Sequence, residues 1–126
     1  MSRILIRTRN GEYRADLDDS DLANAVWLSL PFTTELNMLG DEIFFTMPLD
    51  AREDGPRQNV FEVGDIAWWP GVGALCLFAG PTPLSDAEGK PVSKYKCIKI
   101  GHITDDCASL DEAGDRQKIT LLQLLD

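Results

Sequence analysis

Seven side chains in this sequence have types and spacings suited to holding a ligand: Glu42, Phe44, Arg57, Trp69, Phe78, Thr82 and Ser85. In an extended chain, alternation puts Glu42, Phe44 and Thr46 on one face and Ile43, Phe45 and Met47 on the other. A carboxylate, a ring and a hydroxyl side by side can line a cleft; they also fit an exposed face bearing one aromatic. Trp69 and Phe78 fall on two apolar runs that face each other across a turn. Joined to Glu42 and Phe44, they give an apolar cleft with few polar groups, the ordinary anatomy of a ligand site. Arg57, in a polar segment, offers a planar guanidinium that can grip a carboxylate or carbonyl at a cleft edge; a solvated loop arginine fits the same position. Thr82 and Ser85 add hydroxyls on a proline-stiffened segment.

Other chemistries have weaker support. His102, the single histidine, could act as a base, but an exposed or hydrogen-bonded strand histidine is the stronger reading. Alone it cannot make a metal cluster with the scattered acidic residues. Cys76, Cys97 and Cys107 are widely spaced, which suits reduced thiols and neither a disulfide framework nor paired metal knuckles. Gly71-Val72-Gly73 lacks the rest of a dinucleotide fingerprint. No metal and no cofactor are expected.

The composition narrows the partners. A formal charge of -9 over 126 residues repels phosphate backbones, and the basic residues form no stripe interleaved with aromatics, so nucleic acid is not an expected partner. The acidity reads as solubility. Mean hydropathy is -0.15, no apolar run approaches the roughly 18 residues of a membrane span, and charges break the opening residues 1–7, so neither a membrane nor a signal peptide is expected. Length and composition point to one domain over 1–126, cytoplasmic by default.

The elements that position these side chains centre on 65–85. Residues 66–69 and 74–78 are apolar β-runs around Pro70-Gly71-Val72-Gly73, a tight reversal. Their continuous apolarity means that both faces are covered, as in a barrel or sandwich. Trp68 and Trp69 must point to opposite faces, one inward and one needing cover from elsewhere. Before this hairpin, 2–8 and 12–17 flank Asn10-Gly11, a type I′ turn signal. Asp18 to Asp21 caps a helix over 20–29, stopped by Pro31, with Trp27 plugging the core. Strands follow over 32–39 and 42–47, then a surface loop over 50–59. Two prolines make 80–85 a stiff extended exit, and 86–91 is a loop. Residues 95–104 form a strand in which Gly101 marks a bulge or a close backbone approach. A helical turn over 108–113 precedes a last strand over 116–125 beside the first.

With these elements placed, Gly40-Asp41-Glu42-Ile43-Phe44-Phe45, Gly64-Asp65-Ile66-Ala67-Trp68-Trp69-Pro70, Ala74-Leu75-Cys76-Leu77-Phe78 with Gly80, Thr82-Pro83 and Ser85, and Ile100-Gly101-His102-Ile103 carry a resemblance. The chain resembles the small prokaryotic cyclophilin-like domain family of unknown function. The resemblance implies a mainly β fold, a closed antiparallel cyclophilin-like β-barrel of about eight strands with one or two short helices. Leu39 and Ala79 depart from the family pattern, which often has aromatics there, and this reshapes whatever pocket the family has.

Fold does not carry activity with it. The leading expectation is a non-catalytic module that binds a small molecule or short peptide in a cleft on the barrel. The alternatives are a peptidyl-prolyl isomerase, with Arg57 polarising the amide nitrogen, and an interaction subunit that forms a homodimer through the outward tryptophan.

Overall fold

The computed structural model describes residues 2–85 and 87–125. Strands run over Ser2–Thr8 (β1), Gly11–Leu17 (β2), Phe32–Glu35 (β3), Asn37–Leu39 (β4), Glu42–Thr46 (β5), Arg57–Val60 (β6), Asp65–Trp69 (β7), Ala74–Phe78 (β8), Val92–Ile103 (β9) and Lys118–Leu124 (β10). One helix, α1, spans Asp21–Leu28, and a 3-10 helix spans Ala108–Glu112. The antiparallel sheet runs β3-β10-β1-β2-β9-β7-β8-β5-β4, with β6 added to β9.

Among the described residues hydrogen bonds do not close this path, so the expected closed barrel is not confirmed. Its two ends, β3 and β4, are consecutive in the chain and meet at buried Leu36, whose N–H donates to the Gln117 carbonyl and whose carbonyl accepts from Arg116 N–H. The strand expected over 32–39 is thus split: one half pairs with β10, the other with β5. The 50–59 loop also ends early, since Arg57–Val60 is a strand on β9. Backbone pairing, with the Asn59 side-chain amide donating to the Ser93 carbonyl of β9, holds this polar run in the sheet, and no apolar alternation announces it. The first turn is centred on Arg9 and Asn10, because Thr8 pairs with Gly11. Asn10 does not take positive φ, as type I′ would require, and its N–H is bonded by the Thr8 hydroxyl.

Elsewhere the local chemistry acts as read. The Ser20 hydroxyl caps α1 by accepting from Ala23 N–H, and Leu22, Ala23 and Val26 turn inward. Trp27 is only partly buried against the core, so it does not plug it.

Two apolar layers lie on the two sides of the β5-β8-β7-β9 region. The larger contains Ile4, Ile6, Leu17, Ile43, Phe45, Ile66, Trp68, Leu75, Leu77 and Ile100. The smaller, on the opposite side, is Phe61, Ala67, Cys76, Phe78 and Cys97, with Phe44 and Trp69 packed against it. All five β8 residues are buried because each side of the strand meets one of these layers. This accounts for the hairpin's unbroken apolarity.

Candidate functional site

The face of β5 carrying Glu42 and Phe44 is the smaller layer's side. Glu42 pairs with Phe78 and Phe44 with Cys76, and Trp69 lies on the same side of neighbouring β7. The four residues expected to meet therefore share one face. The face is filled. Phe78 has no exposure and stacks on Phe61 at 4.4 Å between ring centroids. Trp69 stacks on Tyr95 at 4.8 Å and meets Phe44 edge-on at 6.2 Å. What reaches solvent is the rim of this ring chain, chiefly Tyr95 at 48% exposure, with the Lys94 ammonium over it. Trp68 points into the larger core at 3% exposure, so Trp69 is the outward tryptophan, and chain neighbours cover part of it.

Glu42 is buried beside the Cys76 thiol, and burial raises its pKa, an effect partly offset by that thiol's hydrogen bond. Hydrogen bonding to Cys97, together with burial, pushes the Cys76 thiol well above its ordinary range. Cys76 and Cys97 lie on strands separated by β7. Two strand spacings, about 9–10 Å, exceed the Cα separation that a disulfide spans. All three cysteines are free and buried. A carboxyl with a raised folded pKa keeps its proton more tightly in the folded than in the unfolded chain. Its contribution to stability therefore falls as pH rises from the ordinary value of 4.5 through the folded value. Glu42→Gln, which keeps the shape and removes the charge, is expected to be more stable than wild type at neutral pH and no more stable below the ordinary glutamate range. Urea midpoints across pH check this, and equal midpoints at neutral pH would contradict it.

Thr82 and Ser85 serve the backbone. The Thr82 hydroxyl bonds the Val92 carbonyl and accepts from Val92 N–H at 3.2 Å; the Ser85 hydroxyl accepts from Thr82 N–H at 2.8 Å and donates to the Lys90 carbonyl at 2.7 Å. The expected stiff exit over 80–85 is thus a turn knotted by its own hydroxyls. Arg57 is exposed on β6, with its guanidinium 3.5 Å from the Glu53 carbonyl, and takes no part in the ring chain.

His102 is a hydrogen-bonded strand histidine. Its Nδ1 lies 2.8 Å from Oδ1 of buried Asp65, which also receives Lys99 Nζ at 3.1 Å, while Asp65 Oδ2 accepts from Glu62 N–H at 2.9 Å. The carboxylate ties the start of β7 to β9. The imidazole borders a cavity of about 360 Å³ with Asp16, Asp18 and Lys99, and no serine or cysteine lines it as a nucleophile.

A larger cavity, about 390 Å³, opens elsewhere, between α1, the segment after β5 and the β7-β8 turn. Leu22, Met47, Leu49 and Val72 give it apolar walls, and Trp68 and Glu53 complete it. Glu53 Oε2 accepts two N–H donors, Trp68 Nε1 at 2.8 Å and Gly71 N at 3.0 Å, so the carboxylate is held in one orientation. None of the seven expected residues lines this cavity. Nothing in the polar run Arg52-Glu53-Asp54 distinguishes Glu53 from its neighbours, since its partners lie 15 and 18 positions away. The one local signal was the unusual length of the connection. Among the described residues, no group of His, Cys, Asp and Glu could hold a metal ion, and no helix is long and apolar enough to cross a membrane.

A family model described as Cyclophilin-like matches residues 2–122. The solution structure of the hypothetical protein AF2241 from Archaeoglobus fulgidus superposes with a TM-score of 0.80 at 29% identity, covering 98% of this chain and 95% of that one. No curated protein matches the chain.

Proposed function

The chain belongs to the cyclophilin-like family, and on that premise we propose a non-catalytic module that holds a small molecule in the cavity between α1 and the β7-β8 turn. The observation that carries this reading is a carboxylate locked by two N–H donors inside a concavity whose lining is shared between apolar side chains and polar groups. Apolar wall residues beside an oriented polar group are how small-molecule sites achieve both affinity and orientation, and the volume falls within the usual range of about 300–1,000 Å³. It moves the ligand from the Glu42, Phe44, Trp69 and Phe78 face, which side chains already fill, to an opening on the Trp68 side of the sheet. The isomerase alternative gains nothing from Arg57, which stands apart from the rings.

Ala51 also lines the cavity and is partly exposed at the edge of the larger core, so a larger side chain there reaches into the space. Native mass spectrometry of protein purified from its own cells is expected to show a retained small molecule. Ala51→Phe should lose it, with binding weakened at least about tenfold, or about 1.4 kcal/mol. Retention of the same species by the filled variant would place the ligand elsewhere.

A further inference from the structure

Resting on that cavity reading, we propose that its ligand carries a positively charged nitrogen, an ammonium or a guanidinium, which pairs with Glu53. Both donors that fix the carboxylate bind the same oxygen, Oε2. Oε1 has no partner among the described residues, and no lysine, arginine or histidine lines the cavity. Arg57 reaches the backbone carbonyl of Glu53 and not its carboxylate; Arg52 pairs with Asp54.

A carboxylate set among Leu22, Met47, Leu49 and Val72 loses part of its hydration, and two neutral N–H donors offset only part of that loss. A cationic ligand completes the compensation, because charge-assisted hydrogen bonds are roughly twice as strong as neutral ones. An anionic ligand would bring like charge against Glu53. The chain's net charge of -9 adds a long-range field that draws cations toward the opening. The apolar walls call for a hydrocarbon body attached to the nitrogen, and the modest volume keeps that body compact.

The probe pair is 2-phenylethylamine and 2-phenylethanol, alike in shape and different in charge, titrated into the full chain with the Trp68 indole N–H resonance as reporter. That proton is the one donated to Glu53, so it reads occupancy at the carboxylate directly. The amine is expected to bind at least about tenfold more tightly than the alcohol, and Glu53→Gln to remove most of that difference by lowering the amine's affinity more than the alcohol's. Equal affinity for amine and alcohol would overturn the charge assignment and leave the cavity reading standing. Failure of both probes to move the Trp68 resonance would overturn the two together. The wild-type comparison needs no variant, so it decides the matter even if Glu53→Gln fails to fold.

Discussion

Gly101→Val should cost this protein roughly 3 kcal/mol, a large fraction of the about 5–15 kcal/mol that holds a typical domain together. Gly101 sits where β9 is gripped on both edges, paired with Leu17 of β2 and Ile66 of β7. A Cβ added there would lie 2.4 Å from the Asp16 carbonyl oxygen, 2.9 Å from Leu17 Cδ2 and 3.2 Å from Leu17 Cα. The first and last are backbone atoms, so relief requires β2 and β9 to separate. Their register covers Ala15↔Ile103, Asp16↔His102 and Leu17↔Gly101, extended at one end by Asp18 N–H to the Ile100 carbonyl and at the other by Thr104 N–H to the Arg14 carbonyl and Arg14 N–H to the Asp105 carboxylate. These few bonds join the β10-β1-β2 part of the sheet to the β7-β8-β5 part. Urea denaturation of Gly101→Ala and Gly101→Val measures the effect, with loss graded from the first to the second. A Gly101→Ala variant within experimental error of wild type would show that the strands do not approach so closely. Gly71, whose Cβ would meet nothing within 4 Å, provides the contrast: its positive φ alone makes Gly71→Ala cost about 1 kcal/mol.

That close approach was legible in the sequence as a glycine interrupting an apolar alternation, and so was much of the sheet. The 66–69 and 74–78 runs are β7 and β8, and the opposed directions of Trp68 and Trp69 follow from period two without further information. The same alternation placed Glu42 and Phe44 on the face that Trp69 and Phe78 share. What it could not report is whether that face is open. Phe61, which stacks on Phe78, lies in an unremarkable connection, and only tertiary packing brings it over the sheet. β6 escaped detection for a related reason: Arg57-Gln58-Asn59-Val60 has neither alternation nor apolarity, and its strand state comes from the exposed backbone of a long β9. Glu53 shows the limit most plainly. Its chemistry depends on an indole and a peptide N–H contributed by β7 and the turn that follows, a juxtaposition that composition and spacing do not encode.

The status of Phe78 separates the expected site from the observed packing. As a residue of a ligand-binding face, its loss would weaken binding and spare the fold. As the centre of the smaller apolar layer, its loss should cost roughly 3–5 kcal/mol, the range for removing a buried aromatic, and leave ligand affinity in the Glu53 cavity unchanged. The second outcome is expected. Phe78 is fully buried and its ring lies 11° from parallel with that of Phe61, so truncation removes both a large apolar area and a ring pair worth about 1 kcal/mol beyond area. The layer holds only Phe61, Ala67, Cys76, Phe78 and Cys97 as fully buried members. Ala67 and the two cysteines are too short to fill the space, and Trp69, the large ring at the layer's edge, is held between Phe44 and Tyr95. Phe61 would have to follow by moving its whole segment, whose N–H donates to the Pro91 carbonyl. Trp69→Ala, at the partly exposed end of the same face, should cost less because solvent already reaches part of the ring. Equilibrium urea unfolding of both variants, with 2-phenylethylamine affinity measured on the folded fraction at low temperature, tests the assignment. A Phe78→Ala variant of wild-type stability with lost amine binding would return Phe78 to the ligand face and dismiss the second core.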